Sequence, residues 1–200
     1  MSRARAAHRD RPAPAKERML ATAAELLQRQ GYHGTGLAEV LAESGAPRGS
    51  MYFHFPGGKE QLACEALRAS GQRWKSRIAE IVEEVKDPVL VIERVCAMLG
   101  DELEASGYRL GCPVATVALE ASTDSEPIRQ TCADHFADWE TIVAQHLEGH
   151  GVSAEAAKIA ATVTLASIEG ALLLARVYKS RLPLERVSRA LQAQLPALLA

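Results

Sequence analysis

Aromatic side chains are scarce here, with two Trp, four Tyr and three Phe in 200 residues. Long β-branched runs are missing too. Alanine and leucine dominate instead, which argues against a sheet protein and for an all-helical one. The four cysteines, Cys64, Cys96, Cys112 and Cys132, contain no CxxC pair, and each falls in an apolar helical stretch. They read as buried, reduced thiols. No basic cluster adjoins Cys112 to lower its pKa, so a redox-sensing role is not expected of it. No Glu-x-x-His occurs anywhere, which removes a ferritin-like di-iron site. His146 and His150 are spaced i,i+4, and His135 lies nearby in sequence. Gly149 and Gly151 would end the helix there, so neither metal nor other cofactor is expected. Paired carboxylates, a nucleophile motif and a phosphate loop are all missing, which speaks against an enzyme. The N-terminus is basic but lacks the apolar core of a leader. The most apolar stretch, 159–174, is interrupted by Glu169 and is shorter than the ~20 residues a membrane span needs. A cytoplasmic protein without membrane contact is expected.

What is present is a globular composition, 48% hydrophobic and 24% charged, long enough for one or two small domains. Charge is uneven. Residues 1–60 hold nine Lys/Arg against six Asp/Glu, and residues 61–200 hold fourteen against nineteen. A basic head on an acidic body suits a head that meets phosphates. Residues 1–14, with Arg3, Arg5, Arg9 and Arg11 and almost nothing apolar, read as a basic disordered arm.

Apolar periodicity predicts nine helices. The first covers about 15–30 and stops at Gly31. The second covers 37–44, with Gly36 at its N-cap, Glu39 placed to reach back to the cap amide, and Gly45 as a left-handed stop. A short third helix begins at Pro47, and a long fourth runs from Lys59 to about Val85. Asp87 caps the fifth, a short sixth follows Gly111-Cys112-Pro113, and the seventh begins at Ser125. Ser153 caps the eighth, which is apolar nearly all round. The ninth opens at Pro183 and reaches Leu198.

Helices two and three, joined at a glycine turn, have the spacing of a helix-turn-helix, whose second helix enters the DNA major groove. Arg48 and Ser50 offer bonds to base edges or phosphates, and Gly49 permits close backbone approach. Tyr52 and His54 offer phosphate donors, and Lys59 stands at the N-terminus of a helix, where anions are favoured.

The order of residues here resembles the TetR family of one-component regulators. Gly31-Tyr32, Thr35-Gly36, Val40-Leu41-Ala42, Ser44-Gly45-Ala46, Gly49-Ser50-Met51-Tyr52-Phe53-His54-Phe55 and Lys59-Glu60-Gln61-Leu62 follow its pattern over about 50 residues. The turn Pro56-Gly57-Gly58, together with Gly111-Cys112-Pro113-Val114, is similar to the LmrA/YxaF-like subgroup, whose members respond to small aromatic compounds. Gly36 replaces the usual hydroxyl residue, and Pro47 and the longer 56–58 turn also depart from the pattern. The resemblance implies an all-α, nine-helix fold with a three-helix head over 15–60 and a ligand-binding, dimerising body over 61–200. It implies a homodimeric repressor, released from a palindromic double-stranded operator by a small aromatic effector. Thr35, Gly36, Pro47, Arg48, Gly49, Ser50, Tyr52, Phe53, His54 and Lys59 are the expected DNA-facing residues.

Trp74, Ile78, Met98, Cys112, Thr116, Phe136 and Trp139 are candidates for the effector pocket, although a pocket wall and a plain core read alike in sequence. Glu120, a carboxylate on an otherwise apolar helix, either joins that pocket or faces solvent. Ala166, Gly170 and Leu173 on helix eight and Val187, Leu191 and Leu195 on helix nine are the dimer candidates, because helix eight is too apolar for a free surface. Two rival readings remain: a DNA-binding regulator controlled by a protein partner or by abundance, and a helical enzyme with a degenerate helix-turn-helix.

Overall fold

The computed structural model of the chain describes residues 13–199. Most of the arm expected over 1–14 lies outside the described residues. Within them the elements are α1 (Ala15–Gly34), α2 (Leu37–Ser44), α3 (Ser50–His54), α4 (Gly58–Glu84), α5 (Pro88–Ala105), α6 (Pro113–Ala121), α7 (Glu126–Glu148), α8 (Ala154–Tyr178), α9 (Leu182–Gln194) and a last turn, α10 (Pro196–Leu199). The described residues contain no strand. The helix caps are chemical: the side chains of Asp87, Ser125 and Ser153 accept from the first-turn amides of α5, α7 and α8, satisfying donors that the helix cannot. Cys112 does the same for α6 through its sulfur, 3.4 Å from the Ala115 amide.

Several helix ends differ from the sequence expectation. α1 runs on to Gly34 but breaks at Gly31, whose φ of 75° and ψ of −175° lie in a region essentially reserved for glycine. Glu39 does not close a capping box on α2, because Gln30 Nε2 donates to its carboxylate at 2.7 Å and Arg29 lies 3.8 Å away. α3 starts at Ser50, three residues after Pro47. The intervening residues form a turn closed by the Ser50 amide on the Pro47 carbonyl at 2.9 Å. α9 stops at Gln194 because Pro196 has no N–H to continue the ladder, so the rest of the expected helix is the separate turn α10.

Two apolar cores organise the molecule. The first joins α1 to α4 with α6 and α7, through Met19, Leu26, Leu27, Met51, Phe55, Leu67, Val114, Val117 and Ile128. The second joins α5, α7, α8 and α9 through Leu103, Leu147, Ala161, Ala171, Leu172 and Leu184. The helices of the head therefore share a core with α6 and α7 of the body. Arg18 secures the turn between α2 and α3 by donating to the carbonyls of Ser44 (2.9 Å) and Gly45 (3.2 Å), where the end of a helix attracts a cation.

Gly31 allows close approach of α6. A Cβ there would stand 1.9 Å from Glu120 Oε1, and Glu120 Oε2 accepts from the His33 amide at 2.9 Å. In Gly31→Ala, Glu120 can swing away, but it forfeits that bond, and the glycine-only backbone conformation remains. A loss of about 1–3 kcal/mol is expected in denaturant unfolding.

At Gly71 on α4 the ring of His135 on α7 packs against bare backbone, 2.3 Å from where a Cβ would be. Neither ring nitrogen of His135 has a partner. Burial pushes its pKa down, partly offset by Asp138 and Asp134. Burial, with His150 and Lys86, does the same to His146. Both folded values thus lie below the unfolded one of about 6.5, so below that pH the unfolded chain binds protons that the folded chain refuses. Unfolding midpoints should fall as pH drops from about 7 through 6, before the carboxylates titrate. A His135→Leu, His146→Leu double variant should lose most of that slope.

Candidate nucleic-acid interface and effector cavity

The recognition segment is anchored by two side chains and presents others. Met51 and Phe55 are 1% and 0% exposed and fix α3 on the first core. Arg48, Gly49, Tyr52 and Phe53 consequently point outward, and Phe53 is 81% exposed, unusual for a phenyl ring without a partner. A Cβ at Gly36 or Gly49 would meet open space. Pro47 is exposed, while His54 is half-buried and meets the Phe53 ring edge-on, with centroids 4.9 Å apart.

Three expected DNA-facing side chains are committed within the chain. Thr35 is buried, and its hydroxyl donates to the Gly31 carbonyl at 2.7 Å, closing the break in α1. The Ser50 hydroxyl donates to the Pro47 carbonyl at 2.6 Å. Lys59 sits at the start of α4, but its ammonium lies over the Tyr32 ring, 4.5 Å from the centroid. Arg48, Tyr52 and Phe53 are left as the side chains presented without obstruction.

In the body, two chambers share Ile78, Leu99, Trp139 and Ile168 as walls. The inner one, about 90 Å³, is almost wholly apolar, with Val91, Val95, Val143 and Leu165 among its walls and His146 and Thr164 as polar members. The outer one, about 50 Å³, is bounded by Gln28, Trp74, Glu102, Leu103, Leu110, Cys112, Glu169 and Leu172. Both are narrow against the roughly 300–1,000 Å³ of small-molecule sites, so a ring-sized ligand has to part their walls to enter. The indole N–H groups of Trp74 and Trp139 have no partner, and an unsatisfied buried donor costs about 1–3 kcal/mol. Burial pushes the Glu169 carboxyl up, partly offset by the neighbouring Cys112 thiol. Burial first, and the Glu169 charge second, push the Cys112 thiol well up, which suits an inert thiol.

Of the expected pocket residues, Trp74, Ile78, Cys112 and Trp139 line this space. The others are placed elsewhere. Met98 faces a surface groove between α4 and α5. The Thr116 hydroxyl turns back to the Cys112 carbonyl at 2.8 Å. Phe136 packs edge-on behind Trp139, with centroids 5.8 Å apart, and Glu120 is the α1 clasp described above. Sequence reasoning passed over Gln28, Leu99, Ile168 and Glu169. For Glu169 a signal existed, a single carboxylate midway along an apolar helix.

The cavity adjoins the head directly. Gln28 belongs to α1, and its Nε2 donates to the carbonyl of Gly111, just before α6, at 2.5 Å. One residue along, Arg176 of α8 donates to the Arg29 carbonyl at 3.0 Å. With the amide and ring of His33 on the carboxylate and carbonyl of Glu120, four hydrogen bonds clasp the end of α1 to the body.

α8 buries only one side. Ala157, Ala161, Ala171 and Ala175 face α7 and α9, whereas Ile159, Val163, Leu173 and Val177 are 45–66% exposed, with Ala166 and Gly170 beside them. The helix is 25 residues long, so by length and composition it could cross a membrane, contrary to the expectation drawn from 159–174. Glu169, however, turns into the cavity. Leu191 and Leu195 are 6% and 5% exposed within the second core and are therefore not free for a partner. Val187 is half-buried against the same core.

Comparison with known proteins agrees with this architecture. Residues 19–66 match the model of bacterial regulatory proteins of the tetR family. Residues 88–190 match the LmrA/YxaF-like C-terminal domain of transcriptional regulators. The chain is 40% identical over 173 residues to the HTH-type transcriptional regulator LmrA of Bacillus subtilis, spanning 86% of this chain and 92% of that one. It is 37% identical over 169 residues to YxaF, an HTH-type transcriptional regulator of the same organism, spanning 84% and 88%. The fold superposes on a regulatory protein TetR from Rhodobacter sphaeroides with a TM-score of 0.82 at 20% identity, covering 90% of this chain and 97% of that one. The chain thus belongs to the TetR family of DNA-binding transcriptional regulators, with an LmrA/YxaF-like C-terminal domain.

Proposed function

We propose that the protein is a cytoplasmic repressor that binds a palindromic operator as a homodimer and leaves it when a small aromatic molecule enters the cavity. The observation that carries this reading is Gln28, a residue of the head helix α1 that is also a wall of the cavity. In the dimer, the open faces of α8, through Ala166, Gly170, Leu173 and Val177, meet their copies. Exposed apolar stripes of this length are otherwise a liability. Two α3 helices then enter successive major grooves, with Arg48, Tyr52 and Phe53 toward the bases, Gly49 at close range, and His54 and Lys59 near the backbone.

A ligand between Trp74 and Trp139 presses on Gln28 and on the 110–112 segment, straining the hydrogen bonds that clasp α1. α1 is the shorter route to the head, because α4 touches the ligand only through Trp74 and Ile78, well beyond its N-terminus. Ligand and operator then weaken each other by one common factor, typically ~5–150-fold. A duplex selected by the protein from a random pool, titrated with and without 2-naphthol as the aromatic probe, measures that factor. Gln28→Leu should leave 2-naphthol affinity within about threefold, since the wall stays closed, while the coupling factor falls by about fivefold or more. Probe binding that leaves operator affinity unchanged in the parent protein overturns the regulatory reading.

A further inference from the structure

The outer chamber has an uneven set of polar groups. Its ionisable side chains are Glu102, Cys112 and Glu169, and neither Lys nor Arg lines it. Glu102 is held by Arg77 at the rim, leaving Glu169 as the carboxyl that faces the interior. The donors still seeking an acceptor are the indole N–H groups of Trp74 and Trp139, each residue more than nine-tenths buried. Gln28 has committed its amide N–H to Gly111 and retains its carbonyl oxygen as an acceptor. The chamber therefore offers two donors on its aromatic walls and an acceptor pole made by Glu169. An anionic ligand would add negative charge beside Glu169 in a poorly solvated space, where the adjoining guanidinium groups, Arg77 and Arg176, are already bonded to Glu102 and to the Arg29 carbonyl.

Resting on the reading of this cavity as the effector site, we propose that Glu169 selects the effector by charge. The cavity takes an uncharged ring compound whose O–H or N–H group donates to Glu169 and whose acceptor atom meets the indoles, and it rejects carboxylic acids of the same shape. Glu169 is thus the specificity-determining residue of the site. It lines the chamber together with Ile168 and Leu172 of the same helix.

The chain contains two tryptophans, and both line this chamber, so quenching of intrinsic fluorescence reports binding here. The probes are 2-naphthol and 2-naphthoate, compared at about pH 7, where the carboxylic acid is ionised and the phenol is not. The parent protein should bind 2-naphthol roughly tenfold or more tightly than 2-naphthoate. Glu169→Gln keeps the shape and cannot ionise, and should bring the ratio to within about threefold, chiefly by admitting 2-naphthoate. The thermal midpoint of the variant, measured alongside, separates this from unfolding. Equal affinities in the parent protein, or an undiminished ratio in folded Glu169→Gln, overturn the proposal. If neither probe quenches, the cavity reading fails and the proposal with it. If 2-naphthol binds without moving operator affinity, charge selection stands and the regulatory reading alone falls.

Discussion

Leu173→Arg is expected to leave the protein monomeric at micromolar concentration and to weaken its operator binding by about 10³-fold or more, toward non-specific affinity. Leu173 is 59% exposed on the C-terminal half of the open α8 face, so the substitution costs the isolated chain little. In a dimer, the symmetry of the interface would bring two guanidinium groups together in an apolar seam with no acid to pair them. Val177, 66% exposed one turn further on, should respond in the same way. Leu119→Arg is the control. It is 86% exposed on α6, away from α8, and should alter neither sedimentation nor operator affinity. A Leu173→Arg protein that still sediments as a dimer would move the interface to another face.

Arg48→Ala should cost about 1–3 kcal/mol of operator affinity, roughly 5–150-fold, with selectivity relaxed at a single base step. Arg48 is exposed and makes none of the hydrogen bonds or ion pairs that occupy Arg18, Arg29 or Arg176. Its loss should therefore leave folding unchanged. Phe53→Ala should be comparably damaging, because removing so exposed a ring gives up no intramolecular burial. By contrast, Ser50→Ala should act mainly through the Pro47 turn, and Thr35→Val through the break at Gly31, so both should appear in unfolding curves before they appear in DNA binding. Anisotropy titration against the selected duplex, paired with denaturant unfolding, distinguishes the two groups.

Much of the fold was legible because helices announce themselves locally. The spacing of apolar residues gave α4 to α8 nearly to the residue, and Asp87, Ser125 and Ser153 marked their starts by the chemistry of capping. Gly45 marked its stop through a left-handed φ of 62°. What stayed hidden was the choice between faces and neighbours. α6 has nine residues, too few for periodicity to show which way Glu120 points, and its partner proved to be an amide 87 positions away. On α8, apolar nearly all round, the sequence could not say that Glu169 turns inward beside Ile168. Leu191 and Leu195 form a stripe that fits a partner helix as well as α5 and α8 of the same chain, and the intramolecular contact claims it. Thr35 and Ser50 look like phosphate ligands, yet nearby carbonyls already accept their hydroxyls, a competition that short polar side chains commonly enter.

The central claim is that two copies of α3 read DNA in a fixed relation set by α8. Selection of the full-length protein against a random duplex pool, followed by the mass of the complex it forms, tests this most directly. The account predicts a two-fold symmetric site, with half-site centres about 34–36 Å or a multiple of that apart, bound by an even number of chains. Enrichment of an asymmetric site bound by one chain, or of no sequence at all, would contradict it.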